Sequence, residues 1–145
     1  MTEENETVSY NYKRLEMTDI QFKFNSLSIQ FKLIEIEDRL PSFQLQMSVQ
    51  INQFIREFGY SGKLWFQCHS WDSFITALGT SGEIATLNSM SDEDFVFTVS
   101  SEEANVKIKT QSTDGTTTML HHAHPLTDDT FTIIKNAFLE FDRWW

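Results

Sequence analysis

Three histidines stand close together at His121, His122 and His124, the densest set of metal-competent side chains in the chain. On a strand, His122 and His124 share a face while His121 points away. Two imidazoles at that spacing can ligate zinc or nickel, but a structural site takes four ligands. His69 and the single Cys68 supply no standard ligand spacing. The cluster therefore reads as part of an exposed edge strand, and no metal is expected. Cys68-His69 puts a thiol beside a base, the pairing that a cysteine nucleophile needs. Neighbours on a strand face opposite ways, so this His is badly placed to serve this Cys. Cys68 is expected to be buried and inert.

Carboxylates recur as Glu35/Glu37/Asp38, Asp92/Glu93/Asp94, Glu102/Glu103 and Asp128/Asp129. A glycosidase-type hydrolase holds two carboxyl groups across a cleft with separated pKa values. These lie in expected turns and at a helix start, where solvation and capping account for them. The run around Asp92–Asp94 lacks the ligand spacing of an EF-hand loop. The glycines form no dinucleotide or phosphate loop, and no GxSxG elbow occurs. Neither catalysis nor a cofactor is expected. What remains for the acidic turns is a rim facing a partner, with Asp92, Glu93 and Asp94 the first candidates and Glu35, Glu37 and Asp38 the second. Trp144-Trp145 offers either an exposed anchor, since Trp is enriched in hot spots, or core packing at the end of a helical stripe, which is the expectation for Trp145 at least.

The elements that position these groups follow from hydrophobic periodicity. Ile20, Phe22 and Phe24 alternate with polar residues, and Asn25-Ser26 suits a turn. Leu27, Ile29, Phe31 and Leu33 alternate again, but Ile34 and Ile36 continue on the opposite phase, which predicts a bulge near Leu33-Ile34. Phe43, Leu45, Met47, Val49 and Ile51 alternate with Gln44, Gln46, Ser48, Gln50 and Asn52, the mark of a strand with one buried and one wet, uncharged face. This strand is extended to about Arg56, through Phe54 and Ile55.

Gly59–Gly82 forms the centre of the chain. Leu64–Cys68 reads as a strand and Ser70 as the N-cap of a helix with Asp72 in its first turn. Trp71, Phe74, Ile75 and Leu78 share one helix face, and Gly79 stops it in a left-handed cap. Tyr60-Ser61-Gly62 and Gly79–Gly82 read as turns. Short strands follow at Ile84–Leu87, Phe95–Val99 and around Val106–Ile108, then an Asp114-Gly115 hairpin turn and a partner strand over Thr116–Ala123. Thr127 caps a last helix whose Phe131, Ile134, Phe138, Phe141 and Trp145 form a stripe for packing on a sheet. The fold class is α+β: a twisted antiparallel meander with helices over 70–78 and 127–143 packed on it.

The chain has 145 residues, with 13 Phe, 4 Trp and a formal net charge of −10. That length suits a single domain over 1–145, with the polar residues 1–9 as a flexible tail. Tyr10 to Met17 is left open between elements, and its Lys13-Arg14 pair is too small for a basic patch. A pI near 4.7 disfavours nucleic acid and anionic lipid as partners and favours a basic protein. No stretch has the ~20 apolar residues that span a bilayer, and the acidic start is unlike a signal peptide. A cytoplasmic protein is expected.

The arrangement over roughly residues 27–145 resembles small bacterial immunity proteins of contact-dependent and other polymorphic toxin systems, the wall-associated-toxin immunity type among them. The features that carry this are the strand pair Leu27–Ile36 and Phe43–Ile51, the aromatic strand at Leu64-Trp65-Phe66, and the short helix with Phe74 and Leu78. Gly82–Leu87 then opens a strand, and a meander and a terminal helix from Phe131 follow. The resemblance implies a cytoplasmic, non-enzymatic inhibitor that binds a cognate toxin and blocks its active site. Many such toxins are basic nucleases, which an acidic inhibitor suits. A small cytoplasmic adaptor of unknown partner is the alternative. An enzyme built on His121, His122 and His124 is a third reading, and it requires a concave pocket lined by those imidazoles.

Overall fold

A computed structural model describes residues 20–90 and 94–145. The period-two run at Phe43 builds β3 (Ser42–Gln53), which pairs antiparallel along its whole length with β4 (Arg56–Gln67). β1 (Ile20–Lys23) and β2 (Leu27–Glu37) complete a four-stranded sheet in the order β1-β2-β3-β4. The predicted bulge is present as a register shift between Leu33 and Glu35. It releases Ile34 and Ile36 from the buried face, and both are partly exposed.

The strand expected to end near Arg56 instead turns at Phe54-Ile55, because Gln53 pairs with Arg56. Tyr60-Ser61-Gly62 is strand, not turn. A Cβ at Gly62 would strike the Tyr60 ring, so glycine here makes room for a neighbouring side chain.

Helix α1 (Cys68–Leu78) follows β4 without a loop. Its N-cap is Gln67, with no side-chain cap bond, and not Ser70. The backbone N–H of Cys68 donates to Pro41 O, so the helix starts where the sheet edge already holds the chain. Asp72 thus falls beyond the first turn. Gly79 ends the helix in right-handed geometry, with φ −84°. The left-handed residue is Gly82, at φ +81°.

A second antiparallel sheet, in the order β5-β6-β7-β8, comprises β5 (Ala85–Asn88), β6 (Phe95–Val99), β7 (Glu103–Gln111) and β8 (Thr117–Pro125). The meander is therefore divided between two sheets of four strands. Helix α2 (Asp128–Leu139) is the last element. Thr127 caps it, and its side chain and that of Thr130 satisfy one another's backbone N–H groups, leaving few orphan donors at that end. The helix ends at Leu139 with Glu140 as its C-cap, short of the expected end at Arg143. Phe141, Trp144 and Trp145 therefore belong to the tail beyond it: Phe141 is buried, Trp144 half-buried and Trp145 37% exposed.

The core lies between the sheets and under both helices. Phe22, Phe31 and Phe66 of the first sheet meet Phe95 and Phe97 of β6. Trp71 of α1 and Phe138 of α2 close over them, their rings 5.5 Å apart. Such aromatic pairs favour tilted and edge-to-face contacts, and Phe31 meets Phe66, Trp71 and Phe95 edge-on. The resulting α+β architecture leaves one end of the first sheet to the helices and the other to β8.

Candidate docking surface

β8 crosses the end of the first sheet. Its His124 stacks on Phe24 at 5.2 Å and lies 3.1 Å from Ser26 Oγ, at the β1–β2 turn. Its Met119 and Leu120 share a groove with Phe58 and Tyr60 of β4, at the opposite edge. As expected, His122 and His124 share a face, with rings 5.9 Å apart. His121 is on the other side, its Nε2 3.2 Å from Asn105 Oδ1. β8 is an edge strand, but only His121 of the three is exposed: His122 is buried and His124 half-buried. Burial, followed by the fields of His124 and His121, holds the His122 pKa below its ordinary value, and burial lowers that of His124. Among the described residues no three His, Cys, Asp or Glu side chains converge on a point where a metal would sit.

Cys68 is buried. Burial, then the Asp72 carboxylate, pushes its thiol pKa up, which leaves little thiolate for nucleophilic chemistry. His69 is exposed on the first turn of the same helix.

The acidic candidates do not form one surface. Glu35 is in β2, and Glu37 and Asp38 lie at the β2–β3 turn. There the backbone N–H of Arg39 donates to Glu37 Oε1 at 3.0 Å, with the Arg39 side chain 4.0 Å away. Asp94 precedes β6, and its charge reaches Tyr60. Glu35 pairs with Gln44, and Tyr60 with Val49. Five positions of β3 separate those partners, about 17 Å along the strand. Asp92 and Glu93 lie outside the described residues, as does the tail expected over 1–9.

The most distinctive surface is apolar and was not read from the sequence. The two-residue loop at Phe54-Ile55 leaves both side chains in solvent, with Ile55 91% exposed and Phe54 entirely so. Phe54 has φ +55°, and it is the one non-glycine residue with positive φ among those described. Left-handed backbone costs an ordinary L-residue about 1–2 kcal/mol, and tight hairpins place Gly, Asn or Asp there.

Immediately beyond the tip, Glu57, Phe58, Gly59 and Tyr60 form one wall of a groove of about 470 Å³. Ile108 and Leu120 contribute to the other wall, with Met119, itself 71% exposed. The β7–β8 turn, carrying Asp114, lies just past the groove's Thr110 and Thr118. A visible signal existed: Phe54-Ile55 is an apolar pair between two alternating runs, where a turn should be polar. The absence of glycine there hid the turn.

A second depression, about 460 Å³, lies on the outer face of the first sheet among Ser28, Gln30, Ser48, Gln50, Gly59 and Ser61. It is the wet, uncharged face predicted for β3, lined mainly by hydroxyls and amides, with Val49 and Tyr60 also contributing. No helix among the described residues is long and apolar enough to cross a membrane.

Comparison with protein-family models, with curated proteins and with solved structures finds no match for this chain.

Proposed function

We propose that this protein acts by contact, as an immunity protein that binds and neutralises a cognate toxin domain. The observation that carries this reading is the apolar corner where the Phe54-Ile55 tip adjoins the Phe58–Met119 groove. Apolar surface gathered at one place on a charged exterior marks a protein-binding site. Aromatic anchors flanked by polar groups are the form that binding hot spots take. The net charge of −10 supports a basic partner, which it would steer into encounter.

The test is co-expression with the C-terminal domain encoded immediately upstream of this chain's gene. That domain alone should arrest growth, and this protein should restore it and co-elute with an inactivated form of the domain. Continued arrest with no complex would remove the reading.

A further inference from the structure

We propose that the Phe54-Ile55 hairpin tip is a wedge that seats in an apolar-floored, basic-rimmed recess of the protein partner, with the Phe58–Met119 groove closing on the recess edge. The inference rests on the neutralisation reading and names the contact through which it works.

Three observations carry it. Phe54 holds a left-handed backbone that no intramolecular contact of its side chain explains, since the ring is wholly in solvent. Strain retained without an internal use marks a functional segment. Secondly, Ile55 is exposed beside it, so the tip offers two apolar side chains on a two-residue turn whose backbone is fixed by the Gln53–Arg56 pairing, which leaves little backbone freedom to lose on binding. Thirdly, the tip continues into an apolar groove bordered by Glu57, with Asp94 beside Tyr60. Arg56 is the cation at the base of the tip.

The charge of the chain selects among occupants. A second copy would also carry −10, and two such surfaces repel. An anionic bilayer surface repels the chain for the same reason. A concave protein site with a basic rim is complementary in both shape and charge.

The test uses Phe54→Asn, which tolerates the left-handed backbone without an aromatic ring, and Ile55→Ser as a second variant. Each is titrated into the inactivated upstream-encoded domain by calorimetry, and its Tm is recorded. The expected result is a Kd weakened at least tenfold by either change, with the Tm of Phe54→Asn equal to or above that of the parent. A wedge thus separates affinity from stability, which a merely structural turn would not. Parent and variants binding equally would overturn the wedge and leave neutralisation standing. A parent that does not bind the domain overturns both. A Tm that falls together with affinity in both variants overturns the wedge. So does a tip-dependent dimer in sedimentation velocity, or tip-dependent pelleting with phosphatidylcholine–phosphatidylglycerol vesicles, because each assigns the tip to another occupant.

Discussion

Arg143 Nη1 donates to Asp72 Oδ1 at 2.8 Å, tying the end of the chain to the middle of α1. The same oxygen accepts from Trp145 Nε1 at 2.9 Å, and the Trp145 ring stacks on Phe43 at 5.3 Å. Both charged side chains are about two-fifths exposed, so solvent screens the ion pair and it contributes well under 1 kcal/mol by itself. Asp72→Ala should nevertheless cost about 1 kcal/mol, because it also removes the indole's acceptor. Urea denaturation followed by tryptophan fluorescence measures this. An unchanged midpoint would mean that the tail is held by ring packing alone.

Phe138 is the ring on which the layers converge. It meets Phe22 and Phe31 of the first sheet, Trp71 and Phe74 of α1, and Phe97 of β6. Phe138→Ala should lower stability by about 3–5 kcal/mol, the range for a fully buried aromatic. Ile133, half-exposed on the same helix, should lose less than about 0.5 kcal/mol on truncation to Ala. Comparable losses at the two positions would contradict the packing described.

The Phe131, Ile134 and Phe138 part of the α2 stripe and the alternation of β3 were legible because each element buries one face, and burial writes its period into the chain. Phe141 and Trp145 kept the spacing although the helix stops at Leu139. Thr127 as a cap and the bulge after Leu33 were legible for the same local reason. Other features depend on neighbours distant in sequence. Gly62 looks like a turn residue until Tyr60 is seen lying across it. Ser70 looks like a cap until the Cys68 N–H is found already bonded to Pro41 O. The division into two sheets depends on which strand edges meet, and no strand's own pattern records that. The docking corner was hidden because Phe54-Ile55 contradicts the local rules for a hairpin turn.

Gly62→Ala should dislodge the Tyr60 ring from its place over the strand, since a Cβ there would meet the hydroxyl end of that side chain. Burial, then the charge of Asp94, holds the Tyr60 hydroxyl pKa above its ordinary value. A ring swung into solvent should titrate nearer to 10. Ultraviolet pH titration of parent and variant reads the change, and coincident curves would mean that the ring did not move.

His122 predicts a pH dependence with a defined sign. Its Nε2 is buried without a hydrogen-bond partner, and its pKa and that of His124 are lowered. An unfolded imidazole titrates near 6.5. Below about pH 6.5 the unfolded chain therefore binds more protons than the folded one, and stability falls with pH until the folded values are passed. At pH 7 and above this contribution is fully present. His122→Phe should flatten the profile between about pH 6.5 and 5, a window in which most carboxylates remain ionised. The difference in Tm between parent and variant across that window checks it, and a constant difference would exclude His122 as the source.

The separation of the acidic groups predicts that only one of them steers the partner. Asp94 is close enough to Tyr60 to act on its hydroxyl, and Glu57 lines the groove itself. Glu35 lies about 17 Å further along the sheet, and Glu37 and Asp38 lie further still, all beyond the Debye length of about 8 Å at physiological salt. Asp94→Lys with Glu57→Lys should slow association with a basic toxin domain about tenfold in low salt, and the loss should shrink as salt is added. Lysine at Glu35, Glu37 and Asp38 changes the net charge by a larger amount. At physiological ionic strength it should leave the on-rate within about twofold of the parent, because screening removes charges that lie more than a Debye length from the contact. Stopped-flow association at two salt concentrations separates the sets. Equal slowing by both at the higher salt would mean that the docking surface extends over the β2–β3 turn, and a larger effect from the β2–β3 set would move it there from the corner.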